Sequence, residues 1–161
     1  MSSKPWTGQE RWHRADWGPL GWAETGIKLV GIAVAVIAAA RGGAWAVAAD
    51  HPLAHWLLMV TAVGYVVAIF DRVQDREVTA MGFWALMVTG HGAMVWAAGG
   101  DTWPEGSVVL FALLMALGDA VKIVFFVTTR AQVRDLPRRL PIVMTATLLV
   151  LYLLIAALAV A

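Results

Sequence analysis

At 161 residues, with 60 % hydrophobic and 14 % charged side chains and a mean hydropathy of +0.72, the chain falls outside the range of soluble domains, which carry about 25 % charged residues. A net charge of +1 is too small to argue for nucleic acid, and the lack of cysteine excludes disulfides, thiol chemistry, iron–sulfur clusters and Cys-ligated zinc. The length suits one helical membrane domain and no second, soluble one.

Residues 1–24 mix Trp6, Trp12, Trp17 and Trp22 with Lys4, Arg11, Arg14 and Asp16, a composition that suits the headgroup layer. An interfacial segment is expected there, followed by a single transmembrane domain over residues 25–161. Helix 1 is expected from Trp22 or Gly26 to Ala46. It opens with Glu24 and Lys28 at i, i+4 spacing. Gly31, Ala35 and Ala39 then repeat every four residues, a small face that admits a neighbouring helix. Lys28 and Arg41 lie towards opposite ends, so both are expected to snorkel to water.

Asp50-His51-Pro52 breaks the chain, proline being tolerated in the first turn of the next helix. Helix 2 is expected from Pro52 to Phe70, ending in a charged turn, DRVQDRE. Helix 3 runs from Val78 to Ala98, and the loop after it, GGDTWPEG, holds Asp101 and Glu105 and no cation. Helix 4, Ser107 to Thr128, leads into TTRAQVRDLPRRLP, where Arg130, Arg134, Arg138 and Arg139 face only Asp135. Helix 5, Ile142 to Ala161, carries no charge and is expected to be the most lipid-exposed. Each run is close to the 20 or so residues needed to cross a bilayer.

Lys4, Arg11, Arg14, Arg72, Arg76 and the four late arginines fall on one side of these spans and only Arg41 on the other. The expected fold is therefore an all-α polytopic membrane helical bundle of five transmembrane helices, N-terminus cytoplasmic and C-terminus extracytoplasmic, in an inner membrane. Trp45, Trp56, Trp96 and Trp103 then fall where an outer aromatic belt belongs.

Asp119 is the ionisable residue hardest to explain by snorkelling, because helical rise puts it roughly 14–18 Å from either end of helix 4. Lys122, at i+3, is its expected partner. A charge at mid-bilayer costs at least about 2.5–3.5 kcal/mol, so it should face the bundle interior. With His91 the pair reads as an ion or proton pathway, or as an anchor for a polar group; the alternative is a pin between helices.

His55 and His91 lie at comparable depth on antiparallel neighbours. They could ligate a b-type haem, with glycine clearance from Gly64, Gly90 and Gly92. With His51, Met59, Met87 and Met94 they could instead form a copper(I) site, or they could simply be satisfied core groups. No hydrolase, zincin, phosphate-loop or dinucleotide motif occurs, so no reaction is named and a non-enzymatic role is expected. Three readings stand: a transport or ligand-binding protein within an oligomer or larger membrane complex, a haem or copper redox subunit, or a structural accessory subunit.

Overall fold

The computed structural model describes residues 18–75, 78–100, 103–129 and 139–161, the side chains of 70–80 and 129 excepted. It contains α1 (Gly18–Ala40), α2 (Pro52–Asp75), α3 (Val78–Ala97), α4 (Glu105–Thr129) and α5 (Arg139–Ala159), with no strand among the described residues. Runs of Leu, Ala and Val form helices here because a helix satisfies its own backbone groups where no water can. Four of the five, α1, α2, α4 and α5, are long and apolar enough to cross a membrane.

The ends differ from expectation for local reasons. α1 begins at Gly18 and stops six residues short of Ala46. Arg41 and Gly42 donate to the carbonyls three residues back, at Ala38 and Ala39, which tightens the last turn. Gly42 then leaves at φ 132°, a conformation reserved for glycine. α2 runs on to Asp75, so the DRVQD segment continues the helix rather than turning. α5 starts at Arg139, with Pro141 in its first turn. The tryptophans at 6, 12 and 17, and Arg130, Arg134, Asp135 and Arg138, lie outside the described residues.

The helices close into a ring in which α1 packs on α4, α4 on α5, α5 on α2, α2 on α3 and α3 on α1. The seam between α2 and α5 is the loosest. Gly31 and Ala35 are buried as the small face predicts, Gly31 lying against Leu114 and Met115 of α4; Ala39 is partly buried against the core, and Ala38 beside it is buried more deeply. Outward-facing Val30, Ile37, Val63, Val67, Val143 and Val150 are all more than half exposed. A surface this aliphatic would aggregate in water, whereas it matches hydrocarbon. α5 is not uniquely peripheral: it shares the lowest burial with α2 and turns Thr145, Tyr152, Ile155, Ala156 and Ala159 inwards.

One end of the ring is clasped shut. Ala44 donates to the Trp96 carbonyl (3.0 Å) and Gly100 to that of Ala46 (3.3 Å), joining the α1–α2 loop to the last turn of α3 and to the α3–α4 loop. Trp103 Nε1 donates to Ala159 O (3.1 Å), and His51 Nδ1 to Leu158 O (3.2 Å) while stacking on Trp103. These bonds satisfy carbonyls that the last turn of α5 leaves without intrahelical partners. Of the expected aromatic belt, Trp45 and Trp56 are exposed, whereas Trp96 and Trp103 are partly buried.

Candidate functional site: a polar network inside the ring

The buried face of α1 runs Glu24, Lys28, Gly31, Ile32, Ala35, Ala38, so the charged pair and the small residues share one helical face. That register turns Lys28 into the bundle. It is only 2 % exposed, and the expected snorkelling does not occur. Its Nζ donates to Glu24 Oε1 (2.8 Å) and, across the interface, to Asp119 Oδ1 on α4 (2.6 Å). Asp119 is 1 % exposed.

Lys122 is not the partner that i, i+3 spacing suggests. Its Nζ reaches Glu24 Oε1 at 3.4 Å and lies over the Trp84 ring, 5.5 Å from its centroid. Asp119 is instead met by the longer reach of Lys28 from the adjacent helix, whose stem crosses the bare backbone at Gly118. A Cβ there would stand 2.7 Å from Lys28 Cγ and 2.9 Å from its Cε. Gly118→Val should therefore dislodge Lys28 from Asp119 and lower stability by about 1–3 kcal/mol. Thermal melting of the detergent-solubilised protein reads this, and an unchanged midpoint would show that the stem has room elsewhere.

Glu24 and Asp119 against Lys28 and Lys122 make two formal negative and two positive charges, so the cluster is neutral as a whole. It is not fully satisfied, however. Asp119 Oδ2 is buried without a hydrogen-bond partner among the described residues. Lone pairs left unbonded in low dielectric are costly, and such orphans in native interiors call for an explanation.

A second chain of polar groups lies in the same ring. His91 Nδ1 sits 2.7 Å from the Met87 carbonyl, Nε2 lies 2.6 Å from the Tyr152 hydroxyl, and Tyr152 and Tyr65 meet hydroxyl to hydroxyl at 2.9 Å. Tyr65 and Phe111 enclose the imidazole, with ring centroids 4.5 and 5.0 Å away. Every one of the five helices thus contributes a buried polar side chain to this interior: Lys28, Tyr65, His91, Asp119 and Tyr152.

The remaining candidates are dispersed. His55 is buried and donates from Nδ1 to Ala98 O (3.2 Å), tying α2 to the end of α3. His51 belongs to the clasp, Met87 and Met94 are fully buried core, and Met59 packs against that core. Both ring nitrogens of His91 are engaged within the bundle. Among the described residues no three or more His, Cys, Asp or Glu side chains gather as a metal site.

Sequence reasoning passed over Tyr65 and Tyr152 and misread Lys28. A signal existed for the first two, since they are the only tyrosines in the chain and each interrupts an aliphatic run near mid-helix. Tyr65 also forms part of the wall of a groove of about 390 Å³ between α2 and α5, lined by Val60, Gly64, Trp84, Met144 and Leu148 among others. Comparison with protein-family models, curated proteins and solved structures finds no match for this chain.

Proposed function

We propose that this chain is a five-span inner-membrane protein, N-terminus cytoplasmic and C-terminus extracytoplasmic, with a transport or ligand-binding role. The polar centre at Asp119, with Lys28, Lys122, Glu24 and His91, carries that role within an oligomer or larger membrane complex. The third span is α3, which has no charged residue from Val78 to Ala97. The cation count sets the orientation, putting the clasped end outside.

The observation that carries the reading is Asp119 itself: a carboxylate at the middle of a span, bound through one oxygen to a buried lysine of another helix and leaving the other without a partner among the described residues. Packing alone gives no reason for such a group. Well-packed apolar side chains hold helices together as well as or better than buried ion pairs. Ionisable residues inside a membrane mark ion pathways or ligand sites. The neutral pairing keeps the cluster tolerable in hydrocarbon while leaving one carboxylate oxygen, Asp119 Oδ2, without a partner among the described residues and able to meet an arriving ion or polar group.

The test is electrical. Proteoliposomes adsorbed on a solid-supported membrane are exposed to jumps in H⁺, Na⁺, K⁺ and small anions. Wild-type protein should give a transient current for at least one of these, and Asp119→Asn should abolish it while remaining monodisperse and helical. Equal currents from both proteins, or none from wild type for any ion, would leave the pinning role as the better account.

A further inference from the structure

The loosest seam of the ring, between α2 and α5, is also where the surface opens into the groove of about 390 Å³. Its walls are two helical rows. Val60, Gly64 and Ala68 of α2 follow one another every four residues, as do Val143, Thr147 and Leu151 of α5, so the groove runs along the helix axes rather than across them. From 60 to 68, and from 143 to 151, helical rise gives a length of about 12 Å, against about 15 Å for half of the hydrocarbon core. Gly64 supplies much of the room. A Cβ there would meet nothing within 4 Å.

The lining suits hydrocarbon. Three hydroxyls border the groove and each is already engaged: Thr61 Oγ1 donates to Leu58 O (2.8 Å), Thr147 Oγ1 to Val143 O (3.0 Å), and the Tyr65 hydroxyl meets that of Tyr152 (2.9 Å). The other lining side chains are aliphatic or thioether, apart from Trp84 of α3, whose ring lies 5.2 Å from that of Tyr65. Val60, Val143 and Met144 at the rim are each 58 % exposed, so the opening faces outwards, where the bilayer lies. At roughly 30 Å³ for a water-sized group, the volume holds about a dozen methylenes.

One end of the groove is marked by positive charge. Its α5 row begins at Val143, one turn after Arg139, and the i, i+4 spacing puts both on one face of the helix. On α2 the same stride reaches position 72, also an arginine, next after Ala68. Arg139 is exposed and closes a connection that holds four arginines against one acid. A cation at the end of an apolar channel about half a bilayer long complements a lipid with a negative head, and basic residues beside a span attract such lipids.

We propose that the α2–α5 groove binds an anionic phospholipid of the surrounding bilayer, with one acyl chain lying in the groove and the phosphate meeting Arg139. The chain fills the seam that the helices leave loose, and Gly64 makes room for it. This site requires nothing of Asp119.

Native mass spectrometry and thermal melting of the detergent-solubilised protein, titrated with dioleoylphosphatidylglycerol or dioleoylphosphatidylcholine, test the site. One phosphatidylglycerol per chain should be retained and should raise the melting temperature, because a ligand of the folded state alone stabilises it. Phosphatidylcholine should bind at least about fivefold more weakly, and Arg139→Gln should erase that preference. Gly64→Leu, whose side chain enters open space, should melt no lower without lipid and should weaken phosphatidylglycerol binding at least about tenfold. In wild-type protein, phosphatidylglycerol carrying a diazirine on its chain should label residues 60–68 and 143–151, a readout that stands even if Gly64→Leu fails to fold. Equal binding of the two lipids, or undiminished binding by folded Gly64→Leu, overturns the proposal, as does labelling spread evenly over the outward faces of all five helices. Glycerol phosphate alone raising the melting temperature as far as the lipid does would place recognition in the head without the groove and overturn it too. A dimer that retains no lipid and falls apart in Gly64→Leu would assign the groove to a second copy of the chain, with the same consequence.

Discussion

Lys28→Met should lower stability by about 3–5 kcal/mol, the cost of removing one partner from a buried charge pair and leaving the other uncompensated. The loss is large because Lys28 holds two carboxylates from two helices, at 2.8 and 2.6 Å, and both are nearly excluded from solvent. Lys122 reaches Glu24 rather than Asp119, so Asp119 would lose the lysine that forms its ion pair. The companion variant separates folding from function. Lys28→Met with Asp119→Leu removes one positive and one negative charge, leaves Glu24 paired with Lys122, and replaces the pair by apolar side chains of similar volume. Replacement of that kind is often neutral or stabilising, so the double variant should recover most of the lost stability while carrying no ion current. Thermal melting and circular dichroism in detergent read the first property, and the solid-supported-membrane measurement reads the second. A double variant as unstable as the single one would mean that the network is needed for the fold itself.

Gly99→Ala is expected to have the next largest effect, for a reason unrelated to charge. A Cβ at residue 99 would collide with the Ala44 carbonyl and come within 2.7 Å of the Ala46 carbonyl, both of them backbone. A rigid loop cannot swing aside as a flexible side chain can. The α1–α2 and α3–α4 loops would have to part, straining the Ala44 to Trp96 and Gly100 to Ala46 bonds. Overpacking of this kind costs about 1–3 kcal/mol, and each kcal/mol is worth roughly 2–4 °C in a chain of this size. The melting temperature should fall accordingly. Proteolysis at the clasped end should rise at the same time, since separated loops expose backbone that is now bonded. A variant with unaltered melting and unaltered proteolysis would show that the clasp is slack.

The two variants bear on opposite ends of one arrangement. The clasp seals the ring where α5 ends, and the charged cluster sits nearer the other end. Between them run the two tyrosines and His91. α2 and α5, which carry the tyrosines, also form the loosest seam of the ring, so the hydroxyl pair is a cross-link between helices that pack least closely.

What the sequence determined by itself was set by local or one-dimensional quantities. Five apolar runs separated by polar connections specify five helices, because hydrocarbon forces backbone groups to bond within their own segment. The buried position of Asp119 was equally legible, since its depth depends only on helical rise along α4. Its partner was not. Spacing along one helix favours Lys122, whereas the interior is built between helices. Only the closed ring decides that Lys28 crosses Gly118 to reach Asp119 and that Lys122 goes to Glu24. The rotation of α1 was partly written in the sequence, because Glu24 and Lys28 stand in register with Gly31 and Ala35. Recognising it requires knowing that the small face turns inward. Tyr65, His91 and Tyr152 come from α2, α3 and α5 and share no local pattern. Their meeting is decided by helix order around the ring, a property of packing among all five elements that no single segment contains.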